Sequence, residues 1–190
     1  MYEAKNFERL LGTEGFSDVI LRNHFTLYEG YVSNVNKVSE FLKTSETGIP
    51  PWNELKRRFG WEWNGMRLHE LYFGNMAKGG VALDKKGAFA KKIADDFGSF
   101  ELWEKDFRAT GALRGIGWAV LARDTETGRL CNVWVNEHDT GLLAGATIIL
   151  VMDVFEHAFA LDYGIKRADY IAVFWNAIDW GVVSARFAGK

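Results

Sequence analysis

A short charged motif placed directly after a buried apolar run constrains this chain more than any other feature of its sequence. Residues 146–152 are apolar and predict a buried strand, and the motif DVFEH follows at 153–157. Asp153 and His157 are four positions apart, the spacing of one helical turn, so both side chains can converge on one point. A carboxylate and an imidazole held in this way form half of a metal site, although an isolated motif of this kind is more often a buried salt bridge.

Two further histidines lie on apolar faces of predicted helices. Residues 16–43 predict a helix with Ser17 as its N-cap. Its apolar face, at spacings of three and four, consists of Leu21, His24, Tyr28, Tyr31, Val35, Val38 and Leu42. After a polar turn that holds both prolines, residues 52–76 predict a second helix, with an interruption near Gly60 left open. Its apolar face consists of Trp61, Gly65, Leu68, His69, Tyr72, Phe73 and Met76.

The histidine inventory favours a metal over a salt bridge. The chain has only 4 histidines, and His24 and His69 can face each other across two antiparallel helices. Together with Asp153 and His157 they could fill four positions around a first-row transition metal, leaving one for solvent or substrate. Imidazole with one carboxylate suits iron, manganese, zinc or nickel and disfavours calcium or magnesium. The lack of thiolate ligands in this set argues against a structural zinc site.

The remaining pattern predicts an α+β protein. Residues 84–97 and 99–110 predict two helices, and residues 116–122, 129–135 and 146–152 predict strands. The third strand is apolar on both faces, so we expect it to be central. Residues 167–187 predict a final helix, with core candidates Ile171, Phe174, Trp175, Ile178 and Val182. We expect an N-terminal α-helical hairpin domain (1–80), then a C-terminal α/β domain (81–190) with a three-stranded antiparallel sheet and flanking helices, and the metal site between them.

Charge and cysteine content limit the possible partners. The net charge of -2 implies no general attraction to nucleic acid or to a membrane. Cys131 is the single cysteine, which rules out an internal disulfide and fits a reducing compartment. The first residues show no apolar signal segment, and the apolar run 142–152 is too short to span a bilayer. A cytoplasmic protein is therefore expected.

Several separate motifs make the sequence recognisable. The segment DVFEHA (153–158) is similar to the D-V-W-E-H-A signature of the iron/manganese superoxide dismutases, with phenylalanine in place of tryptophan. RADYI (167–171), FWN (174–176) and GIGWA (115–119) continue the similarity. His24 with Tyr31 matches the pattern of the first helix, and His69 occupies the ligand position of the second. The chain resembles this family along nearly its whole length.

The resemblance implies a ligand set and a reaction. One iron or manganese ion per subunit is expected, and either metal fits the same ligands: His24, His69, Asp153 and His157. Two superoxide anions would be converted to oxygen and hydrogen peroxide by alternate reduction and reoxidation of that ion. Two rival interpretations are a non-catalytic metal-binding scaffold and another mononuclear non-haem metalloenzyme on the same fold. An oxygenase with two histidines and one carboxylate is disfavoured by the third histidine.

The resemblance also implies roles for residues around the ion. Tyr31 matches the tyrosine near the open position, and Trp118 and Phe155 are expected to wall the pocket. Many members use a glutamine to bind the metal-bound solvent. Here the second-helix position for that residue is Gly65, so His138 in the loop is expected to have the task.

A homodimer is implied as well, with a tetramer as a further option. Glu156 is expected to reach the ligand His157 of a partner subunit. Tyr28 and Ala160 replace a pair that usually meets across the interface, so we expect the Tyr28 ring to fill the space over the partner's Ala160, with its hydroxyl near the substrate entrance. Glu29 would make that entrance less positive.

Overall fold

Two long helices form the first half of the fold in the computed structural model, which describes residues 1–189. Helix α1 spans Asp18–Thr44 and helix α2 spans Pro50–Gly74. Ser17 caps α1 as predicted, because its hydroxyl accepts a hydrogen bond from the N–H of Ile20. The prediction that both prolines lie in the turn before α2 was wrong. They occupy the first turn of α2, where the backbone N–H that proline lacks would have no partner within the helix. Helix α2 runs through Gly60 without interruption.

The helices bury the faces that the sequence indicated. His24, Tyr28 and Tyr31 are buried on α1, and His69 is buried on α2. Leu42 near the end of α1 is only half-buried. A short 3-10 helix, Glu8–Leu10, precedes α1. The two helices pack along each other and so bring their histidines to a common interior.

A three-stranded antiparallel sheet follows within residues 1–189, after helices α3 (Ala88–Phe97) and α4 (Phe100–Gly111). Its strands are β1 (Gly117–Asp124), β2 (Leu130–Asn136) and β3 (Ala146–Asp153), in the order β2-β1-β3. The fold class is therefore confirmed as α+β. The prediction that residues 146–152 form the central strand was wrong, since β1 pairs with both neighbours. Strand β3 is apolar because helices contact it, among them α2 and the last helix of the described chain, Trp180–Phe187.

The segment after β3 departs from the predicted helical turn. Asp153 is the last residue of the strand, and His157 lies in a 3-10 helix, Glu156–Ala158, after an extended Phe155. The two side chains still converge, but through the end of a strand and a tight turn. Their four-residue spacing is therefore not that of one α-helical turn.

The C-terminal helix is divided. Helices α6 (Arg167–Asn176) and α7 (Trp180–Phe187) replace the single helix expected over 167–187, and a short helix α5 (Ala160–Tyr163) precedes them. The side chain of Asp179 accepts a hydrogen bond from the N–H of Val182, so Asp179 is the N-cap of α7. Helix α7 buries Trp180 and Val183 in the core, whereas the predicted core residue Val182 is only half-buried. Among residues 1–189, no helix has the length and apolarity needed to cross a membrane.

Candidate metal centre

Four side chains from four segments meet at one point. His24 comes from α1, His69 from α2, Asp153 from the end of β3 and His157 from the following 3-10 helix. One ligand atom of each lies within 4.8 Å of the others. Asp153 Oδ2 is 3.1 Å from Nε2 of both His24 and His157, and 3.7 Å from Nε2 of His69. Atoms bound at about 2.1 Å to one ion lie roughly 3 to 4 Å apart, so these separations suit a single metal.

The two ring nitrogens of His69 show whether the site suits a metal ion. Its Nδ1 donates a hydrogen bond to the carbonyl of Gly65, which leaves the lone pair on Nε2. The side chain is fully buried, and Nε2 has no hydrogen-bond partner among the described residues. An unpaired buried polar atom costs about 1–3 kcal/mol. A metal ion bonded to Nε2 removes this deficit, so the donor set fits a metal.

Protonation states also favour a cation at this point. Burial lowers the pKa of His24 and of His69, so both imidazoles are neutral near pH 7 and keep a free lone pair. Burial alone would raise the pKa of Asp153, but the neighbouring His157 and His24 hold it below its ordinary value. Asp153 Oδ1 also accepts from the N–H of Phe155 at 2.8 Å. The centre therefore offers the two neutral imidazoles of His24 and His69 beside one buried carboxylate.

His138 lies beside the four ligand atoms rather than among them. It follows β2 and is fully buried. Trp118 Nε1 donates to His138 Nδ1 at 3.1 Å, and His138 Nε2 lies 2.7 Å from the hydroxyl of Tyr31. An indole N–H can only donate, so Nδ1 is the acceptor and the neutral ring carries its proton on Nε2. Burial lowers the pKa of His138 to about 4, so the ring is neutral at pH 7.

Tyr31 reaches His138 because a glycine lies beneath its ring. A Cβ atom at Gly65 would lie 2.5 Å from Cδ1 of Tyr31. The ring of Tyr31 stacks on that of His69 with centroids 5.2 Å apart. Gly65 therefore gives Tyr31 its place against a candidate ligand, and its own carbonyl orients His69.

Aromatic rings enclose the centre. Trp118 meets His69 edge-on with ring centroids 4.9 Å apart, and Phe155 stacks on His157 with centroids 5.0 Å apart, so both rings border the four convergent residues. Phe155 also packs on His138 at 4.9 Å. Trp61 was expected only as a core residue of α2, yet its ring lies 4.5 Å from that of His138. The signal was available: Trp61 precedes His69 by eight positions, which places both on one helix face.

Tyr28 is placed differently from the expectation. Its side chain is fully buried inside its own chain. The hydroxyl accepts from the N–H of Lys5 at 2.9 Å and donates to Glu70 Oε1 at 3.1 Å. A buried ring with a bound hydroxyl cannot fill space over a partner's Ala160 or line an entrance, so the expected interfacial position of Tyr28 is corrected.

The chain is similar in sequence to a known protein family. Residues 85–186 match the family model described as iron/manganese superoxide dismutases, C-terminal domain. The chain belongs to the iron/manganese superoxide dismutase family. It is 37% identical over 171 residues to superoxide dismutase [Mn] 2 of Haloferax volcanii, covering 89% of this chain and 85% of that protein. It is 37% identical over 180 residues to superoxide dismutase [Fe] of Cupriavidus metallidurans, covering 92% and 89%.

Relatives in this superoxide dismutase family include proteins named for either metal. Superoxide dismutase [Fe] of Aquifex aeolicus is 34% identical over 183 residues, which cover 92% of this chain and 85% of that protein. The similarity therefore extends over both the helical hairpin and the sheet. The four convergent residues are divided equally between these two halves of the chain.

Proposed function

We propose that this protein is a superoxide dismutase that converts two superoxide anions into dioxygen and hydrogen peroxide. The observation that carries this proposal is the convergence of three imidazoles and one carboxylate, with a buried and unpaired Nε2 on His69. When bound, an iron or manganese ion supplies the one-electron oxidation and reduction that superoxide requires. Membership of the family supports the same reaction.

The four convergent residues would hold the ion. His24 and His69 come from the helical hairpin, and Asp153 and His157 from the segment around the end of β3. We infer that residues 1–80 and 81–190 are two domains that the ion joins, since each half supplies two ligands. A single carboxylate among neutral imidazoles leaves a divalent or trivalent ion with net positive charge, which attracts a small anion.

Proton supply is assigned to Tyr31 and His138. Peroxide leaves protonated, so the reaction consumes protons near the open position of the metal. His138 donates through Nε2–H to the oxygen of Tyr31, and the phenolic proton is then free for a solvent molecule or a bound anion. Burial raises the pKa of Tyr31, so the phenol stays protonated at neutral pH and remains a donor.

Reconstitution with single metals tests the function. Iron-loaded, manganese-loaded and zinc-loaded protein should each bind about one ion per chain, because the ligand set accepts all three. The iron or the manganese form should dismutate superoxide, whereas the zinc form should be inactive because zinc does not change oxidation state. Full occupancy with iron and with manganese but no dismutation would reject the proposal and favour a metal-binding scaffold.

We also propose a homodimer formed around Glu156. This residue is exposed and makes no ion pair with another residue of 1–189, while the side chain of His157 beside it is 28% exposed. Glu156 borders a groove together with Leu113, Phe159, Ala160, Ile165 and Arg167. Ile165 is 99% exposed there, which leaves apolar surface for a second copy to cover. Across a two-fold axis Glu156 could then accept a hydrogen bond from the partner's His157.

Sedimentation of one variant pair tests the dimer. Glu156→Ala should shift the mass toward the monomer and lower metal retention, because the imidazole of His157 loses a partner that orients it. Glu126→Ala removes an exposed carboxylate in the β1–β2 turn and should change neither quantity. A parent protein that sediments as a monomer would reject the proposal, and one that sediments as a tetramer would place the dimer within a larger assembly.

A further inference from the structure

We propose that Trp61 is a positioning residue for His138, acting through a hydrogen bond between its indole N–H and the carboxylate of Glu137. The inference rests on the proposed function, because it concerns the proton supply of that reaction. Trp61 Nε1 donates to Glu137 Oε2 at 3.0 Å, and Glu137 directly precedes His138. Helix α2 thereby holds the loop that carries the imidazole, although 76 positions separate Trp61 from Glu137.

The backbone of this loop needs a tertiary contact to keep its shape. Glu137 has a φ of 50°, and it is the one non-glycine residue within 1–189 with a positive φ. Side chains with a Cβ are disfavoured in this left-handed region, so the conformation persists where surrounding contacts enforce it. The hydrogen bond from Trp61 supplies such a contact at the strained residue itself. His138 follows immediately and takes its direction from that backbone.

Trp61 is itself held firmly. The guanidinium carbon of Arg58 lies 3.8 Å from the centroid of the Trp61 ring, and Arg58 Nε donates to Glu62 Oε1 at 2.9 Å. Glu62 is 4% exposed and also accepts from Asn34 at 3.3 Å. These contacts hold Arg58 in place against the face of the Trp61 indole. Its N–H therefore points to Glu137 in a defined direction.

The ring of Trp61 contacts both His138 and Tyr31, the two residues to which proton supply is assigned. The Trp61 centroid lies 4.5 Å from that of His138 and 5.5 Å from that of Tyr31. Trp118 decides which nitrogen of His138 carries the proton, while Trp61 and Glu137 decide where the ring lies. Loss of the indole N–H frees the loop and lengthens the Tyr31–His138 hydrogen bond. The protonation of product then slows, although the four metal ligands are untouched.

Matched substitutions separate this role from general packing. Trp61→Phe keeps an aromatic ring against His138 but removes the N–H, and Glu137→Ala removes the acceptor. Glu137→Gln keeps a side-chain oxygen that can accept from Trp61, so it serves as the conservative rescue. Trp63→Phe is the control: Trp63 lies on the same helix, is half-buried and packs on Tyr2 at 5.2 Å.

Two readouts are measured on each variant. Turnover and KM are determined with the active metal, and ¹⁵N chemical shifts of the histidine rings are measured in diamagnetic zinc-loaded protein, with His138→Gln to assign the His138 signals. Trp61→Phe and Glu137→Ala should each lower kcat by about 10–100-fold, with KM and metal content near the parent values. Both should also move the ¹⁵N shifts of His138 away from those of a ring protonated at Nε2. Glu137→Gln should recover most of both effects.

Three results would overturn the proposal. These are parental kcat and ¹⁵N shifts in Trp61→Phe, equal losses in Trp63→Phe, or losses in Glu137→Gln as large as in Glu137→Ala. The double variant Trp61→Phe/Glu137→Ala should lose no more than either single variant, because both remove one contact. If the parent showed no dismutation with iron or manganese, the proposed function would fail, and the ¹⁵N shifts would still decide whether Trp61 positions His138.

Discussion

The phenolic oxygen of Tyr31 lies 2.7 Å from Nε2 of His138, although 107 positions separate the two residues. Trp118 donates to the other nitrogen of the same ring, which fixes the direction of the bond from His138 to Tyr31. Burial raises the pKa of Tyr31 and lowers that of His138, so both groups are neutral around pH 7. A hydrogen bond between two neutral groups, donated by His138 and accepted by Tyr31, thus joins α1 to the loop after β2 beside the candidate ligands.

Removing one ligand should empty the centre. His69→Ala deletes the buried Nε2 that no other described residue satisfies, so we expect loss of most bound metal, loss of dismutation and a lower Tm. Metal analysis by mass spectrometry and thermal unfolding provide the measurements. His138→Gln is the control, since His138 is not one of the four convergent residues and should keep its metal. Full occupancy in His69→Ala would show that the ligand assignment is wrong.

Gly65 should tolerate no side chain. In Gly65→Ala the new Cβ would meet the ring of Tyr31 at 2.5 Å, and overpacking of this kind costs about 1–3 kcal/mol. We expect a lower free energy of unfolding in urea and reduced turnover, because Tyr31 must move away from His138. Gly60→Ala is the matched control on the same helix. Apart from the adjacent backbone of α2, no described atom lies within 4 Å of a Cβ there, so alanine should stabilise the protein by up to about 1 kcal/mol.

Two results for Gly65→Ala and Gly60→Ala would contradict this expectation. If Gly65→Ala is as stable and as active as the parent, the ring of Tyr31 is not confined by Gly65. If Gly60→Ala is destabilised as well, the effect belongs to α2 as a whole and not to the contact with Tyr31.

Helical periodicity explains why part of the site could be predicted from the sequence. His24 and Tyr31 are seven positions apart on α1, which is two turns, so they lie on one face whatever the tertiary structure. His69 follows the same rule on α2. Both helices need a buried apolar stripe, and the histidines interrupt those stripes. The sequence therefore predicted which helix faces meet, and the structure brings them together.

Other features depend on tertiary pairing that local patterns do not encode. An apolar strand sequence shows that both faces of the strand are buried, but it does not show which strands are its hydrogen-bonded neighbours. Strand β3 was therefore predicted as central although it lies at an edge of the sheet. The spacing of Asp153 and His157 suits a helical turn and also a strand end followed by a 3-10 turn. Tyr28 matched an interfacial position, but its hydroxyl is bound by Lys5 and Glu70 inside the chain.

His138 should control turnover without controlling metal binding. His138→Ala removes the donor to Tyr31, so we expect an intact fold, a shifted reduction potential of the metal and turnover lowered by about 10–100-fold. Potentiometric titration and stopped-flow kinetics measure the two effects. His138→Gln keeps a donor and should retain more activity than His138→Ala. An unchanged potential and rate in His138→Ala would reduce His138 to a packing residue.

The protonation of His138 should also appear in the acid stability of the protein. The pKa of His138 is about 4 in the folded chain, against about 6.5 when unfolded. Between these values the unfolded chain binds more protons, so the contribution is full above pH 6.5 and is lost as the pH falls toward 4. The loss reaches up to about 3 kcal/mol. Urea unfolding from pH 7 to pH 4 should therefore show a steeper decline in the parent than in His138→Gln.

This comparison isolates His138 from the rest of the centre. His24, His69 and the loss of metal contribute acid sensitivity to both proteins, so those effects cancel in the difference. Parallel stability curves for the parent and His138→Gln would contradict the depressed pKa of His138.

The buried hydroxyl of Tyr28 should affect stability and not association. Tyr28→Phe leaves the N–H of Lys5 without its acceptor and removes one donor from Glu70, so we expect a loss of about 1–3 kcal/mol in the free energy of unfolding. The sedimentation coefficient should equal that of the parent, because the ring is buried within its own chain. Tyr2→Phe is the control: Tyr2 is 37% exposed, and the change should stay within about 0.5 kcal/mol. Weakened association in Tyr28→Phe at unchanged stability would return Tyr28 to the subunit interface.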